Sequence, residues 1–227
     1  VTLAELPRTE LLARLRAQVA VKESRIRQAP FPVHPELAAL LPDGGLRPGA
    51  AYSLAGAGAL LLALIAEPSR GGHWCGAVGM PEFGAEAAAH AGVALDRLAL
   101  VPDPGEHWLA TTAALLEALP IVAVRPAGRV SEGDAARLMS RLRDREAVLL
   151  VDGLWPRAEA RLWVSKPSWL GVGSGYGYLA SREVTVTVSS RRSPLRRSVR
   201  LVLPSSDGGL TAAAVAVAST TGLRAVG

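Results

Sequence analysis

The sequence predicts an α/β domain. It should have a mainly parallel central sheet covered by helices on both faces, antiparallel strands at the C-terminal end, and an appended N-terminal helix. Three observations carry this. Between residues 50 and 151 short, fully apolar runs alternate with helical segments, the pattern of parallel strands buried on both faces. After residue 160 the helices stop, and Val184, Val186 and Val188 alternate with Thr185, Thr187 and Ser189, so that one strand face is wet. With 227 residues, 49% hydrophobic and 20% charged, the chain suits one globular domain with a sizeable core.

The elements follow in order. Residues 2–28 read as a helix, with Thr2 and Glu5 at capping-box spacing. Leu12, Leu15, Val19 and Ile26 recur every three or four residues along a narrow seam that also contains Lys22. A proline-rich break, APFPVHPE, separates this helix from the rest. A short helix should end at Pro42, with a turn at Gly44 and Gly45. A strand at 50–54, a glycine turn at Gly56 and Gly58 and a helix at 59–66 come next, then a loop at 68–72. Further strands are expected at 74–78, 96–101, 121–124 and 147–151. The helices between them fall at 85–91, 108–119 and 131–145, the last capped by Ser131 with Glu132 and Asp134 in its first turn. Strands at 161–164, 183–189 and 199–203 close the sheet. The glycine-rich SWLGVGSGYGYLA reads as a flexible loop anchored by Trp169, Tyr176 and Tyr178, and residues 210–218 as one weak helix or a tail. The expected divisions are 1–30 (helix), 31–204 (main domain) and 205–227 (tail).

Composition excludes several functions. Cys75 is the single cysteine, so an internal disulfide and a cysteine-based zinc site are ruled out; within HWCGAVG it reads as a buried structural thiol. His34, His73, His90 and His107 are scattered with no metal-binding spacing. No nucleophile elbow or triad spacing occurs. The uncharged run 48–66 approaches the roughly 20 residues of a membrane span, but its glycines and alanines suit a buried strand and helix. No signal-peptide pattern opens the sequence, and a reducing cytoplasm without membrane contact is expected.

Net charge is +5, carried by arginine: the only lysines are Lys22 and Lys166. Arginine's planar fork suits phosphates and carboxylates. Arg182, Arg191, Arg192, Arg196, Arg197 and Arg200 fall within nineteen residues around SSRRSPLRRS, which reads as a hairpin tip. Arg191, Arg192, Arg196 and Arg197 are the candidate DNA contacts; the competing reading is a solvated tip that protects a sheet edge.

The junction of strand, glycine turn and helix is where nucleotide-binding α/β proteins hold phosphate, because the helix start presents free N–H groups. The chemistry there depends on G-x-x-x-x-G-K-[ST]. Here AGAGALLLALI has no Lys, Ser or Thr after Gly56 and Gly58. The expectation is that residues 56–60 hold no nucleotide, that no cofactor or metal is used, and that Leu60, Leu61, Leu64 and Ile65 are core.

The order of segments resembles the RecA fold and, within it, the ImuA/ImuA′ (SulA-like) accessory proteins of bacterial damage-induced mutagenesis. The resemblance covers residues 34–203. DGGLRPGAAYSL is similar to the segment entering the RecA P-loop. MPEFGAEAAAHAGVALDRLALVPDPGEHWLATTAALL is similar to the stretch beginning at the catalytic-glutamate loop, and AARLMSRLRDREAVLLV to the helix and strand after the first DNA-binding loop. The departures are specific. The Walker A lysine and threonine have no counterpart, and Arg125 stands where the Walker B acid should end strand 121–124. Glu82 falls at the place of the water-activating glutamate, and Asp152 at a sensor or metal position after the fifth strand. Both read as solvated or turn acids here. The two DNA loops are reduced to about 126–130 and 152–159.

The resemblance implies a RecA-like three-layer core in a non-catalytic accessory protein of translesion synthesis. Its partners would be an ImuB-like polymerase-fold protein and an error-prone DNA polymerase, with self-association, RecA or weak DNA contact also open. Candidate partner-binding residues are Leu12, Leu15, Val19 and Ile26 on the first seam, and Leu210 and Leu223 in the C-terminal region that the family uses. Two alternatives remain: a SulA-like inhibitor of cell division, and an ATP-dependent recombinase paralogue that binds nucleotide unconventionally.

Overall fold

The computed structural model describes residues 29–56, 58–173 and 176–213. The expected N-terminal helix with Leu12, Leu15, Val19 and Ile26 lies outside the described residues, as does Leu223. A four-residue helix α1 (Pro35–Ala38) starts the described chain, capped by the His34 ring, which accepts from the Glu36 N–H at 3.3 Å. It leads to β1 (Ala51–Ala55) and α2 (Gly58–Arg70), then β2 (Cys75–Val78), α3 (Ala85–His90) and β3 (Leu98–Val101). Helix α4 (Trp108–Ala118), β4 (Ile121–Val124), α5 (Glu132–Arg145) and β5 (Val148–Asp152) complete the alternating part. Four strands follow: β6 (Ala160–Gly173), β7 (Tyr176–Ser190), β8 (Ser193–Val202) and β9 (Thr211–Ala212).

The sheet runs β3-β2-β4-β5-β1-β6-β7-β8-β9. Pairings from β3 through to β6 are parallel, and those from β6 to β9 are antiparallel. This is the expected mixed α/β architecture. Period-two alternation divides the sheet between two cores. On one face Tyr52, Leu54, Ala77, Ala123 and Leu150 pack under α2 and α3, and that core continues across Leu162, Val184, Val186 and Val188. On the other, Ala51, Val122, Val124, Leu149 and Val151 pack under α4 and α5. The second core includes no residue of β6, β7 or β8, so α4 and α5 cover only part of that face.

Leu60, Leu61, Leu64 and Ile65 are buried as expected, and burying one leucine stabilises the fold by about 1.5–3 kcal/mol. Cys75 is also buried, and the loss of solvent pushes its thiol up to about 12.

Three expectations fail. Helix α2 does not stop at Ala66 but runs through Pro68 to Arg70. A proline near the last turn removes only one helical bond, and the Glu67–Arg70 ion pair closes that turn. The glycine-rich loop is instead a long hairpin, with Ser168 opposite Glu183, Trp169 opposite Arg182 and Leu170 opposite Ser181. Glycine suggested a break, but Gly171, at φ +105°, sits at a register shift within the ladder, which is where strands tolerate glycine. Residues 205–212 are not a tail or a helix. Ser205 and Leu210 are buried, and Thr211–Ala212 pairs with β8.

Candidate functional site

Parallel α/β sheets present their loops at the carboxyl ends of the strands, and ligands collect there. In this chain those ends frame a cleft of about 730 Å³. Gly58 and Ala59 at the start of α2 form one wall, Met80 to Gly84 after β2 another, and Pro204 to Gly208 a third. The cleft is open beside Gly58, and Gly56 does not line it. Gly56 has φ +71°, which a glycine adopts without strain. A Cβ on Gly58 would meet nothing within 4 Å.

Arg125 stands at the centre of the cleft's polar end. It follows β4 directly, and its N–H bonds the Val78 carbonyl at 2.9 Å, which continues the β2 pairing by one residue. Its guanidinium donates from Nε to Asp152 Oδ2 at 2.8 Å and from Nη2 to the same oxygen. Its Nη1 donates to Glu82 Oε1. Asp152 is the last residue of β5, with a side chain 18% exposed; Glu82 is 60% exposed. The Asp152 hydrogen bond raises Arg125 above its already high range. The carboxyl of Glu82 is held below the usual carboxylate range, first by its own backbone N–H and then by Arg125. Asp207, at the rim, is lowered by the Ser205 hydroxyl and then by the Gly209 N–H, which donates at 3.1 Å.

Glu82, Asp152 and Asp207 therefore line a cleft that holds one arginine, whose guanidinium is shared between the first two. The rest of the lining is largely apolar, from Ala59, Leu61, Leu62, Met80, Phe83 and Pro204. This donor set does not suit a magnesium triphosphate: no lysine or hydroxyl stands at the helix start, and the excess charge is negative. Sequence reading put Arg125 at the end of strand 121–124, took Glu82 for a solvated loop acid and Asp152 for a cap or turn residue, and paired none of them. The structure joins them. The signal lay in the neighbouring strands β2, β4 and β5, whose ends must converge.

The arginine cluster separates. Arg191 and Arg192 form the turn between β7 and β8, as expected, but both are fastened down. Arg191 donates to the Arg157 carbonyl at 2.8 Å. Arg192 pairs with Asp43 at 3.0 Å and, through Nε, with Glu159 at 2.7 Å. Glu159, 9% exposed, also accepts from Arg47 Nη2 at 3.0 Å. The remaining two arginines point to opposite faces of β8. Arg197 donates to the Ala39 carbonyl at 3.3 Å, on the α2 side. Arg196 lies over the Trp163 ring, 5.9 Å from its centroid, on the other side. Arg200 is paired with Glu183 at 2.8 Å. Of the apolar candidates, Leu210 is 8% exposed and packs in the main core, so it offers no free surface.

The family model of the MT3502 N-terminal domain matches residues 39–157, a stretch that includes Gly56, Gly58, Glu82, Arg125 and Asp152. The uncharacterized protein Rv3395c of Mycobacterium tuberculosis (strain ATCC 25618 / H37Rv) is 34% identical over 157 residues, which cover 67% of this chain and 75% of that protein. Among solved structures, the crystal structure of the RadB recombinase aligns with a TM-score of 0.55 at 14% identity, over 77% of this chain and 94% of that one. At that identity the likeness shows the fold alone, and the fold is RecA-like. The chain belongs to the MT3502 N-terminal domain family.

Proposed function

We propose that this chain is a non-catalytic RecA-like accessory protein of damage-induced translesion DNA synthesis, of the ImuA/ImuA′ kind, acting by binding other proteins. The observation that carries the reading is the Glu82–Arg125–Asp152 arrangement. The resemblance to RecA puts a metal-binding acid where Arg125 stands. A guanidinium at that place repels a divalent cation and takes up the two acids that would otherwise serve the chemistry. The apolar residues 59–62 after the glycine turn support the same reading. On this view the RecA scaffold is kept for its surfaces, and its partners are an ImuB-like polymerase-fold protein and an error-prone polymerase.

Two measurements test it. A thermal melt of the full chain with ATP and Mg²⁺ should match the melt without them; a clear upward shift would restore the nucleotide-dependent alternative. The full chain should also co-purify with an ImuB-like protein from the same genome, and failure to do so would remove the accessory role. A second, shortened chain tests whether the C-terminal residues carry the contact, and it should end at Ala213. A cut at Pro204 would take Leu210 out of the core and β9 off the sheet, so lost binding would only report misfolding.

A further inference from the structure

On the sheet face that α4 and α5 leave open, Arg161, Trp163 and Arg196 line a groove of about 530 Å³ beside Gly56. Arg161 lies opposite Ser189, and Trp163 opposite Thr187, so these side chains rise on the same face. Arg161 is exposed and makes no ion pair or hydrogen bond to the described residues. Arg196 is exposed too, and its contact is with the indole of Trp163. No acid lines the groove. The other hairpin arginines are committed: Arg192 to Asp43 and Glu159, Arg200 to Glu183, Arg191 to a backbone carbonyl. Among the described residues Arg161 and Arg196 thus have no acid partner, and Arg196 rests on the indole of Trp163.

We propose that this groove is a contact site for single-stranded nucleic acid, with Arg161 and Arg196 on successive phosphates and Trp163 stacking a base. A guanidinium matches a phosphate in charge and shape. An indole between two such groups suits a flat base and gives an acidic peptide nothing to stack. The Thr187–Ser198 hydroxyl pair, 2.9 Å apart, keeps the adjoining surface polar and uncharged. The site keeps Arg196 of the four hairpin arginines suggested by the sequence and joins it to Arg161 and Trp163 of β6; it is separate from the shortened loop 126–130 that resembles a RecA DNA loop. It does not depend on the accessory reading, because it is measured on the purified chain without a protein partner.

The test is fluorescence anisotropy of a labelled oligothymidylate with the full chain, over a range of salt. The parent should bind, with affinity falling as salt rises. The exposed, unpaired positions allow Arg161→Gln with Arg196→Gln without loss of fold, which a matching thermal melt verifies. That double variant should bind about tenfold more weakly, and its log–log salt slope should be shallower by about 1.4, two phosphate contacts at about 0.7 each. Trp163→Ala should weaken binding about fivefold or more, and Trp163→Phe should recover most of it. Three results would overturn the proposal: no binding by the parent at low salt, unchanged binding by the folded double variant while Arg129→Glu in the loop abolishes it, or equal displacement of the oligonucleotide by polyglutamate.

Discussion

Arg125→Ala is the most informative single change, because Arg125 links three loops that the sequence keeps far apart. Removing the guanidinium strips Asp152 of two donors on one oxygen, at 2.8 Å from Nε and from Nη2. A charge-assisted hydrogen bond that is well buried contributes about 1.5–3 kcal/mol net, and a fully exposed ion pair about 0–1. Asp152 is 18% exposed and Arg125 41%, so the expected loss lies between those ranges, at about 1–2 kcal/mol. The arm to Glu82 is in solvent and is given no share. For a domain of this size the loss lowers the melting temperature by about 2–8 °C. The assay is urea denaturation of the parent, Arg125→Ala, Asp152→Asn and the double variant, which isolates the coupling between the two side chains. A coupling below about 0.3 kcal/mol would show that the pair is incidental. A variant more stable than the parent would show that burying the guanidinium costs more than the pairing returns.

Three further predictions concern the frame of the site. Tyr52 is fully buried, its hydroxyl accepts from the Arg47 N–H at 2.8 Å, and burial pushes its phenol up to about 12. Tyr52→Phe should therefore cost about 1 kcal/mol near neutral pH. The unfolded chain releases this proton near pH 10 and the folded chain holds it to about 12, so stability should fall by up to about 2–3 kcal/mol across that window. Tyr52→Phe should flatten that alkaline limb in melts taken from pH 9 upward. Gly79 has φ +73°, and a Cβ there would lie 2.5 Å from the Arg125 carbonyl oxygen. Gly79→Ala should cost about 2 kcal/mol or more in urea denaturation and weaken the Arg125–Asp152 coupling as well. Ser131 Oγ accepts from the Asp134 N–H at 3.0 Å. Ser131→Ala should therefore lose about 1 kcal/mol, and Ser131→Asp should keep most of it.

The alternating half of the fold was legible in the sequence because its strands are short and apolar and its helices carry ordinary signals. Residues 121–124 were read to the exact residue, and Ser131 caps α5 as its position suggested. The antiparallel half was read too short. Its strands extend through glycines, Pro167 and Lys166, residues that mark loops unless a partner strand is already beside them. Lys166 at φ +51° and Gly171 at φ +105° lie at the two register shifts that let β6 continue against β7. Such pairing is set by the tertiary partner and leaves no local trace. The same limit applies to the site. That Gly56 and Gly58 lack a lysine was plain in the sequence, but the Glu82–Arg125–Asp152 arrangement depends on strand order. Arg161 and Trp163 carried a weak signal: they alternate with the buried Ala160 and Leu162, which places them on the far face of β6. The density of arginines in 191–197 drew attention to the hairpin tip instead.

The position of β1 also bears on how the chain is assembled. β1 is the first strand of the described sheet, and its neighbours β5 and β6 lie about a hundred residues later in the chain. A ribosome emitting the chain from its N-terminus therefore releases β1, β2, β3 and β4 before anything that borders β1 exists. The first three neighbours to meet, β3, β2 and β4, form one wing of the sheet. The central strand has no partner strand until synthesis passes Asp152, and its second neighbour follows only with β6. Such a chain pays its loop-closure entropy late and shows sticky strand edges meanwhile. A fragment ending at Val124 should therefore fail to fold alone, although it carries four of the six parallel strands and the helices α1 to α4.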